Sequence, residues 1–386
     1  MTSIKIAKLG SQALGMFLFY ILCVAGGVLY LPGDPIKSGI KVILLVIIFI
    51  YFTTQRHMLT VPKMVLNYAL VCFPILVAGT IASLSPWQAI EKLDGVLFGT
   101  SFLAILYLMI LNRIGEERVR GLFLSVCVLV LFCTLVYKAK FGFFDRNVRF
   151  FLNGPIVYGW IMALAAVAAF AHWFEFRKRY YLLLFAIFTA ALVWTESKGP
   201  LLAFFGSLLF FGLSAAKRSP KTILAIVALG AALSYLLYPL LLSRVEGTRL
   251  EAIARIFEWS FSDNDQGSVG DRVELYRYAM SLILENPTIG IGIGNFRYGQ
   301  YIYPHNIHLE IFVELGVLVG LAHLIFVSAS FFRSPLLYRS LIVLFVLCGC
   351  FSGDMSYLRF LYCFCLVGIY LGRASRCREH AIAANS

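Results

Sequence analysis

Long apolar runs alternate with short polar segments along most of this 386-residue chain. The runs are about 15–25 residues long, which is enough for a helix to cross roughly 30 Å of hydrocarbon. The strict alternation of apolar and polar positions that marks the strands of a β-barrel is missing from the sequence. The pattern therefore predicts an all-α, polytopic membrane protein.

Twelve of these runs are predicted to be transmembrane helices. They cover residues 13–30, 39–54, 64–83, 95–111, 121–137, 155–173, 180–195, 200–216, 221–242, 308–330, 337–351 and 356–372. The second, seventh, eighth and eleventh are short, so one of these four is the candidate for a re-entrant segment. The first run is interpreted as a retained span; the alternative is a signal peptide cleaved near Ala25-Gly26-Gly27.

Basic residues mark every second loop. The loops on the side of the N-terminus contain Arg56 and Lys63; Arg113, Arg118 and Arg120; Arg177, Lys178 and Arg179; Lys217, Arg218 and Lys221; Arg333 and Arg339; and Arg373, Arg376 and Arg378. The short loops on the other side contain few Lys or Arg, so the positive-inside rule places both termini in the cytoplasm. The net charge of +13 follows from this asymmetry, and no nucleic-acid partner is expected.

One hydrophilic loop, residues 243–307, separates nine spans in 1–242 from three spans and a cytoplasmic tail in 308–386. The loop is too long to be a mere connector. Its pattern predicts an amphipathic helix at 249–259 and a second helix from Arg272 to Glu285, which Pro287 ends. On the second helix Arg272, Tyr276 and Ala279 share one face.

The segment Gly290–Phe296 has glycine at alternate positions. A dinucleotide-binding fingerprint would need a preceding strand and a following helix, and neither is predicted here. Alternate glycines instead indicate a tight backbone turn close to a ligand or to another helix. In the span that follows, Glu310 and Glu314 lie four residues apart on one face, and carboxylates inside an apolar span are candidates for function.

Several cations lie on the predicted outer side, where the charge rule does not require them. They include Arg149, Lys198 and Arg272. Together they indicate an anionic partner. The cysteines lie mostly within apolar runs, without His or carboxylates at metal-ligand spacing, so no metal site is expected.

Four motifs in order resemble the O-antigen ligase and Wzy-type polymerase superfamily. They are Thr195-Glu196-Ser197-Lys198-Gly199-Pro200; Gly270-Asp271-Arg272; Asn286 to Phe296 followed by His305-Asn306; and Glu314-Leu315-Gly316 with Gly320. A weaker match is Asn153-Gly154-Pro155. Lys198 stands where the family usually has Arg, which keeps the charge but loses the bidentate geometry.

The resemblance implies a GT-C-like membrane fold and a metal-independent glycosyltransferase without a cofactor. Such enzymes take a glycan from undecaprenyl diphosphate at the periplasmic face of the bacterial inner membrane. Ligases transfer it to lipid A–core, and polymerases transfer it to another carrier-linked glycan. The family's roles carry over to Arg272 and Lys198 for the diphosphate and to His305 for the acceptor, with Arg149, Tyr276, Asn306 and Glu314 as further substrate contacts.

Alternatives to this interpretation remain. A polymerase is nearly as well supported as a ligase, and twelve spans also suit a transporter of lipid-linked solutes, although no internal repeat is found. Taken singly, His305 could cap the tenth span, Lys198 could reach a lipid head group, and Glu314 could bond to another helix.

Overall fold

A computed structural model describes residues 63–143, 150, 154–216 and 270–385. Its α-helices are α1 Lys63–Ile81, α2 Pro86–Leu93, α3 Thr100–Ile114, α4 Glu116–Phe141, α5 Pro155–Phe176, α6 Arg179–Trp194, α7 Lys198–Ala216, α8 Gly270–Glu285, α9 Ile307–Arg333, α10 Leu336–Phe351 and α11 Leu358–Asn385. A wider π-helical turn, Asp94–Gly99, joins α2 to α3, and a 3₁₀ turn, Met355–Tyr357, precedes α11.

The described residues are almost entirely helical and contain no strand. Seven helices among them are long and apolar enough to cross a membrane, and Arg179–Trp194 and Leu336–Phe351 are shorter apolar helices. The all-α membrane class is thereby confirmed. Predicted spans 13–30, 39–54 and 221–242 and the helix 249–259 lie outside the described residues, so the count of twelve and the GT-C-like topology stay predictions.

Helices α4, α5 and α6 belong to a compact unit that covers residues 105–191. Most of α5 is buried, because its run of alanines lets neighbouring helices approach closely. At one end of this unit Arg120 pairs with Glu175 at 2.6 Å and with Glu116 at 3.8 Å.

A second compact unit contains residues 63–104 together with the described residues from 192 onward. In it, α7 packs along α10, and the Ser207 hydroxyl donates to the carbonyl of Ser340 at 2.7 Å. The Tyr68 hydroxyl of α1 donates to the carbonyl of Val96 at 2.6 Å, which ties α1 to the π-helical turn. All candidate site residues that the structure describes lie in this unit.

Helix α9 is two helices that fold back on each other at Gly316. The backbone of Gly316 has φ 82° and ψ 171°, which is far from helical geometry. His308 Nδ1 and His323 Nε2 lie 2.8 Å apart although 15 residues separate them. A straight helix would place these residues about 22 Å apart at about 1.5 Å per residue. We name residues 307–315 the short arm and residues 317–333 the long arm.

The sequence did not predict this fold-back. Four short spans were the candidates for a re-entrant segment, and one of them, 39–54, lies outside the described residues; among the described spans, the tenth, 308–330, breaks. Gly316 permits the break because only glycine adopts this positive φ without strain. A Cβ at Gly316 would also overlap the carbonyl of Thr288.

The glycine-rich segment, 290–296, and the residues just before it form hydrogen bonds with the backbone groups that the break in α9 leaves open. The N–H groups of Ile291 and Gly292 donate to the carbonyls of Val313 and Glu314 at 2.9 and 3.0 Å. The Val317 N–H donates to the carbonyl of Pro287 at 2.8 Å instead of continuing the helical ladder. Gly290, Gly292 and Gly294 all have positive φ. The predicted tight turn beside another helix is confirmed, and it satisfies backbone groups that the fold-back would leave unpaired.

Candidate functional site

Helix α8 presents Arg272 and Tyr276 at the start of the short arm. The same side of α8 also makes apolar contacts: Leu275, Ala279 and Ile283 form a buried cluster with Phe296 and Val313. This cluster fixes α8 against the short arm. The helix predicted from Arg272 to Glu285 is observed as Gly270–Glu285, so its existence and its end before Pro287 are confirmed.

Tyr276 connects α8 to two other elements. Its hydroxyl donates to the carbonyl of Cys350 at the end of α10, at 3.2 Å. Burial raises the pKa of Tyr276, while Arg272 and a hydrogen bond with the Asn306 side chain oppose that rise. Tyr276 is therefore a neutral hydrogen-bonding group at pH 7, in contact with the predicted motif His305-Asn306.

His305 lies in a strained turn between two tyrosines. Its φ is 55°, which is uncommon for a residue with a side chain. The imidazole packs edge to face with Tyr301 and Tyr303, with ring centroids 5.6 and 4.5 Å away. Within the described residues the buried Nδ1 has no hydrogen-bond partner. Such an outlier is a reason to suspect function, because a strained backbone persists only where its surroundings enforce it.

The electrostatic environment keeps His305 neutral. Burial lowers the pKa of His305, and the positive charge of Arg272 lowers it further. Both effects disfavour the imidazolium. Neutral imidazole can accept a proton from a hydroxyl group. Burial, with Asp354 and Tyr357 close by, raises the pKa of Tyr303 to about 12, so this neighbour is protonated at neutral pH.

Asn306 caps the short arm. Its Oδ1 accepts from the Leu309 N–H at 3.0 Å, and its carbonyl accepts from the Glu310 N–H at 3.0 Å. The sequence left open that His305 provides this cap. Because Asn306 performs it, the His305 side chain is not required for the start of the helix.

Lys198 is exposed at the first residue of α7. The Thr195 and Ser197 hydroxyls donate to backbone carbonyls of the preceding turn, at 2.7 and 3.2 Å, and shape the chain there. Gly199 lies against Phe351, since an added Cβ would be 2.8 Å from the Phe351 Cβ. Tyr276 contacts the neighbouring residue Cys350, so the N-terminus of α7 and helix α8 meet the same end of α10.

Glu314, which the sequence assigned to the substrate, is completely buried. Its Oε1 lies 2.6 Å from the Lys92 Nζ, and Glu310 Oε1 lies 2.5 Å from the same Nζ. Neither carboxylate is accessible to a glycan in this arrangement. Arg149, the remaining candidate, lies outside the described residues.

Lys92 is the residue that the sequence analysis missed. It is separated by 222 residues from Glu314, and nothing local links them. The available signal was weak: Lys92 is the single basic residue in a predicted outer segment, 85–94, that is otherwise without Lys or Arg. Two carboxylates inside a membrane span need a counter-charge, and assigning Lys92 to that role would have predicted the cluster.

Metal-ligand chemistry has no candidate in the part of the chain that the structure describes. No group of three or more His, Cys, Asp or Glu side chains there is arranged to hold a metal ion. The carboxylates of the short arm are occupied by Lys92.

Comparison with protein families gives one match. The family described as O-antigen ligase, Wzy_C, matches residues 182–325. The matched segment contains Lys198, Arg272, His305 and both arms of α9 up to residue 325. No curated protein matches the chain. The family implies a glycosyltransferase-like enzyme that acts on a lipid-linked glycan and an acceptor. Residues 182–325 therefore carry an O-antigen ligase domain, which supports the O-antigen ligase and Wzy-type polymerase superfamily for this membrane protein.

Proposed function

We propose that this protein is an O-antigen ligase-type, metal-independent glycosyltransferase. In this proposal it moves a glycan from undecaprenyl diphosphate to lipid A–core at the periplasmic face of the bacterial inner membrane. The observation that supports it is the assembly of Arg272, Tyr276, His305 and Asn306 at the start of the short arm.

The donor end of this assembly is cationic. Within the described side chains Arg272 has no ion-pair partner, and Lys198 is exposed at the end of α10 that Tyr276 also contacts. A diphosphate leaving group gains negative charge as the glycosidic bond breaks. A fixed guanidinium stabilises this charge more in the transition state than in the ground state, and the difference accelerates the reaction. Arg149 is proposed as a further diphosphate contact.

The acceptor end is the imidazole of His305. In the proposed step, the acceptor hydroxyl attacks the anomeric carbon and loses its proton to His305 as the bond to the diphosphate breaks. Neutral His305 is suited to this role, because burial and Arg272 keep its pKa low. Tyr276 and Asn306 provide neutral hydrogen-bonding groups beside the reacting atoms.

The deciding experiment uses purified protein in detergent with a defined undecaprenyl-diphosphate oligosaccharide. Lipid A–core is the acceptor in one arm, and a second carrier-linked glycan is the acceptor in the other. Transfer to lipid A–core is expected, unchanged in EDTA. Transfer only to the carrier-linked glycan would identify a polymerase, and absence of transfer in both arms would contradict the proposal. Arg277→Ala, an exposed arginine on the same helix, is the matched control for Arg272→Ala.

A further inference from the structure

The short arm has the His305 turn at one end and two buried glutamates along its length. His305 and Asn306 precede its first residue, Ile307. Glu310 lies in its first turn and Glu314 near its end, and both contact Lys92 of α2. The side chain of Lys92 is 8% exposed and those of the two glutamates are 0% exposed.

The charges in this cluster do not balance. Two carboxylates and one ammonium sum to a net charge of −1 if all three are ionised. Burying an uncompensated charge is far more costly than protonating the carboxylate that carries it. Within the described residues Glu310 Oε2 and Glu314 Oε2 have no hydrogen-bond partner, although the backbone of Gly294 lies beside Glu314.

The acidic groups around the cluster do not remove its excess negative charge. Asp354 lies near both glutamates and adds a carboxylate; its Oδ1 accepts from the Ser356 N–H at 2.7 Å. The Tyr303 phenol, which packs against His305, lies near Glu310. The Arg359 guanidinium lies over the rings of Tyr357 and Phe360.

A second polar contact holds the same arm. The carbonyl of Val346 can only accept, so His308 donates to it through Nε2, at 3.0 Å. In a neutral ring His308 Nδ1 must then accept from His323 Nε2, and His323 Nδ1 must accept from the Tyr362 hydroxyl at 2.7 Å. The short arm is thus tied to α10, to the long arm and, through His323, to α11.

We propose that Lys92, Glu310 and Glu314 share one retained proton and that this cluster fixes the short arm so that His305 faces the acceptor. Lys92 is then a positioning residue for the transfer reaction. The positioning role rests on the function proposed above. The retained proton does not, because it follows from the buried cluster alone.

The proton is tested by infrared difference spectroscopy of the purified full-length protein at pH 8. Each single variant, Glu310→Gln or Glu314→Gln, is compared with wild type. Each should lose one protonated-carboxyl band, because the remaining glutamate ionises to pair with Lys92. Loss of a carboxylate band in both differences would mean that both glutamates are ionised, and would overturn the proposal. Glu285→Gln, exposed on α8, is the control for removal of a surface carboxylate.

The positioning role is tested by transfer rate per donor-binding site, a readout that unfolded protein does not lower. Each single Gln variant should stay within about threefold of wild type, because one carboxylate still balances Lys92. The double variant Glu310→Gln/Glu314→Gln leaves Lys92 buried without a counter-charge. Its transfer rate should fall on the order of 100-fold, with the donor KM unchanged. Adding Lys92→Met should restore much of the rate.

Three results would overturn the positioning role: full activity in the double variant, single variants as inactive as the double, or no rescue by Lys92→Met. If the double variant does not accumulate, the recovery of folded protein on adding Lys92→Met gives the same decision. If wild type transfers no glycan, the proposed function fails while the infrared result still decides on the proton.

Discussion

Two histidines in this protein have similar neighbours and very different surroundings. His305 packs between Tyr301 and Tyr303 with Arg272 nearby. In the other compact unit, His172 packs between Phe176 and Tyr181, with ring centroids 4.8 and 4.3 Å away and Arg120 nearby. By residue type alone, either could be a catalytic centre.

The difference lies in the backbone and in the arginine. His172 is in the regular helix α5 and is 0% exposed, whereas His305 is half-buried in a positive-φ turn. Arg120 is bound by Glu175 at 2.6 Å, whereas Arg272 has no carboxylate partner among the described side chains. A cation that is already paired with a carboxylate attracts a diphosphate only weakly. Solvent exposure of the histidine and an arginine without a carboxylate partner therefore distinguish the candidate site from a packing arrangement better than residue type does.

The sharpest test of this comparison is removal of each imidazole. Asparagine is the replacement of choice at 305, because it tolerates positive φ and leaves the turn unstrained. His305→Asn should lower transfer by about 10²–10⁴-fold with donor binding retained, since the proposed general base is lost. His172→Asn should leave transfer per donor-binding site unchanged. Equal losses in both variants would remove the distinction between the two histidines.

The next test removes each arginine. Arg272→Ala should lower transfer by about 10²–10³-fold and weaken donor binding, because a charge-assisted contact to the leaving group is lost. Arg120→Ala should lower thermal stability, since a buried cation and its ion pairs disappear, without changing transfer per folded protein. Titration of the donor into each variant separates the two outcomes, and undiminished donor affinity in Arg272→Ala would count against its assignment.

A smaller effect is expected at Lys198. Lys198→Ala should lose about 10–100-fold, the range for one hydrogen bond to a charged group, whereas Lys198→Arg should keep substantial activity. Lys63→Ala, a change at the first residue of another helix in the same unit, is the control. Equal tolerance of both changes at Lys198 would leave it as a surface cation.

The smallest effect concerns pH. Because burial and Arg272 lower the pKa of His305, the neutral base should persist below pH ~6.5, the ordinary pKa of histidine, and the acid limb of kcat/KM should lie below that value. Arg272→Ala removes the weaker of the two causes, so the acid limb should move upward. A downward shift would show that the limb reports another group.

Some of this protein was determined by the sequence alone. Apolar runs located the helices in the described part of the chain, because a helix that crosses a membrane needs a long uninterrupted apolar segment whatever its neighbours are. Pro287 placed the end of α8 for an equally local reason, the lack of an N–H and the ring clash. The four-residue spacing of Glu310 and Glu314 placed both on one face, and both contact Lys92.

Only the tertiary structure decided the rest. The fold-back at Gly316 depends on the glycine-rich segment reaching the carbonyls of Val313 and Glu314, and periodicity within 308–330 does not reveal it. The pairing of Lys92 with Glu314 joins residues 222 apart, and the cap proved to be Asn306, beside His305. Local patterns report what each segment buries. Which distant group satisfies a buried charge or a free carbonyl depends on how the helices pack, because that cost is met by whatever partner lies within about 3 Å in space.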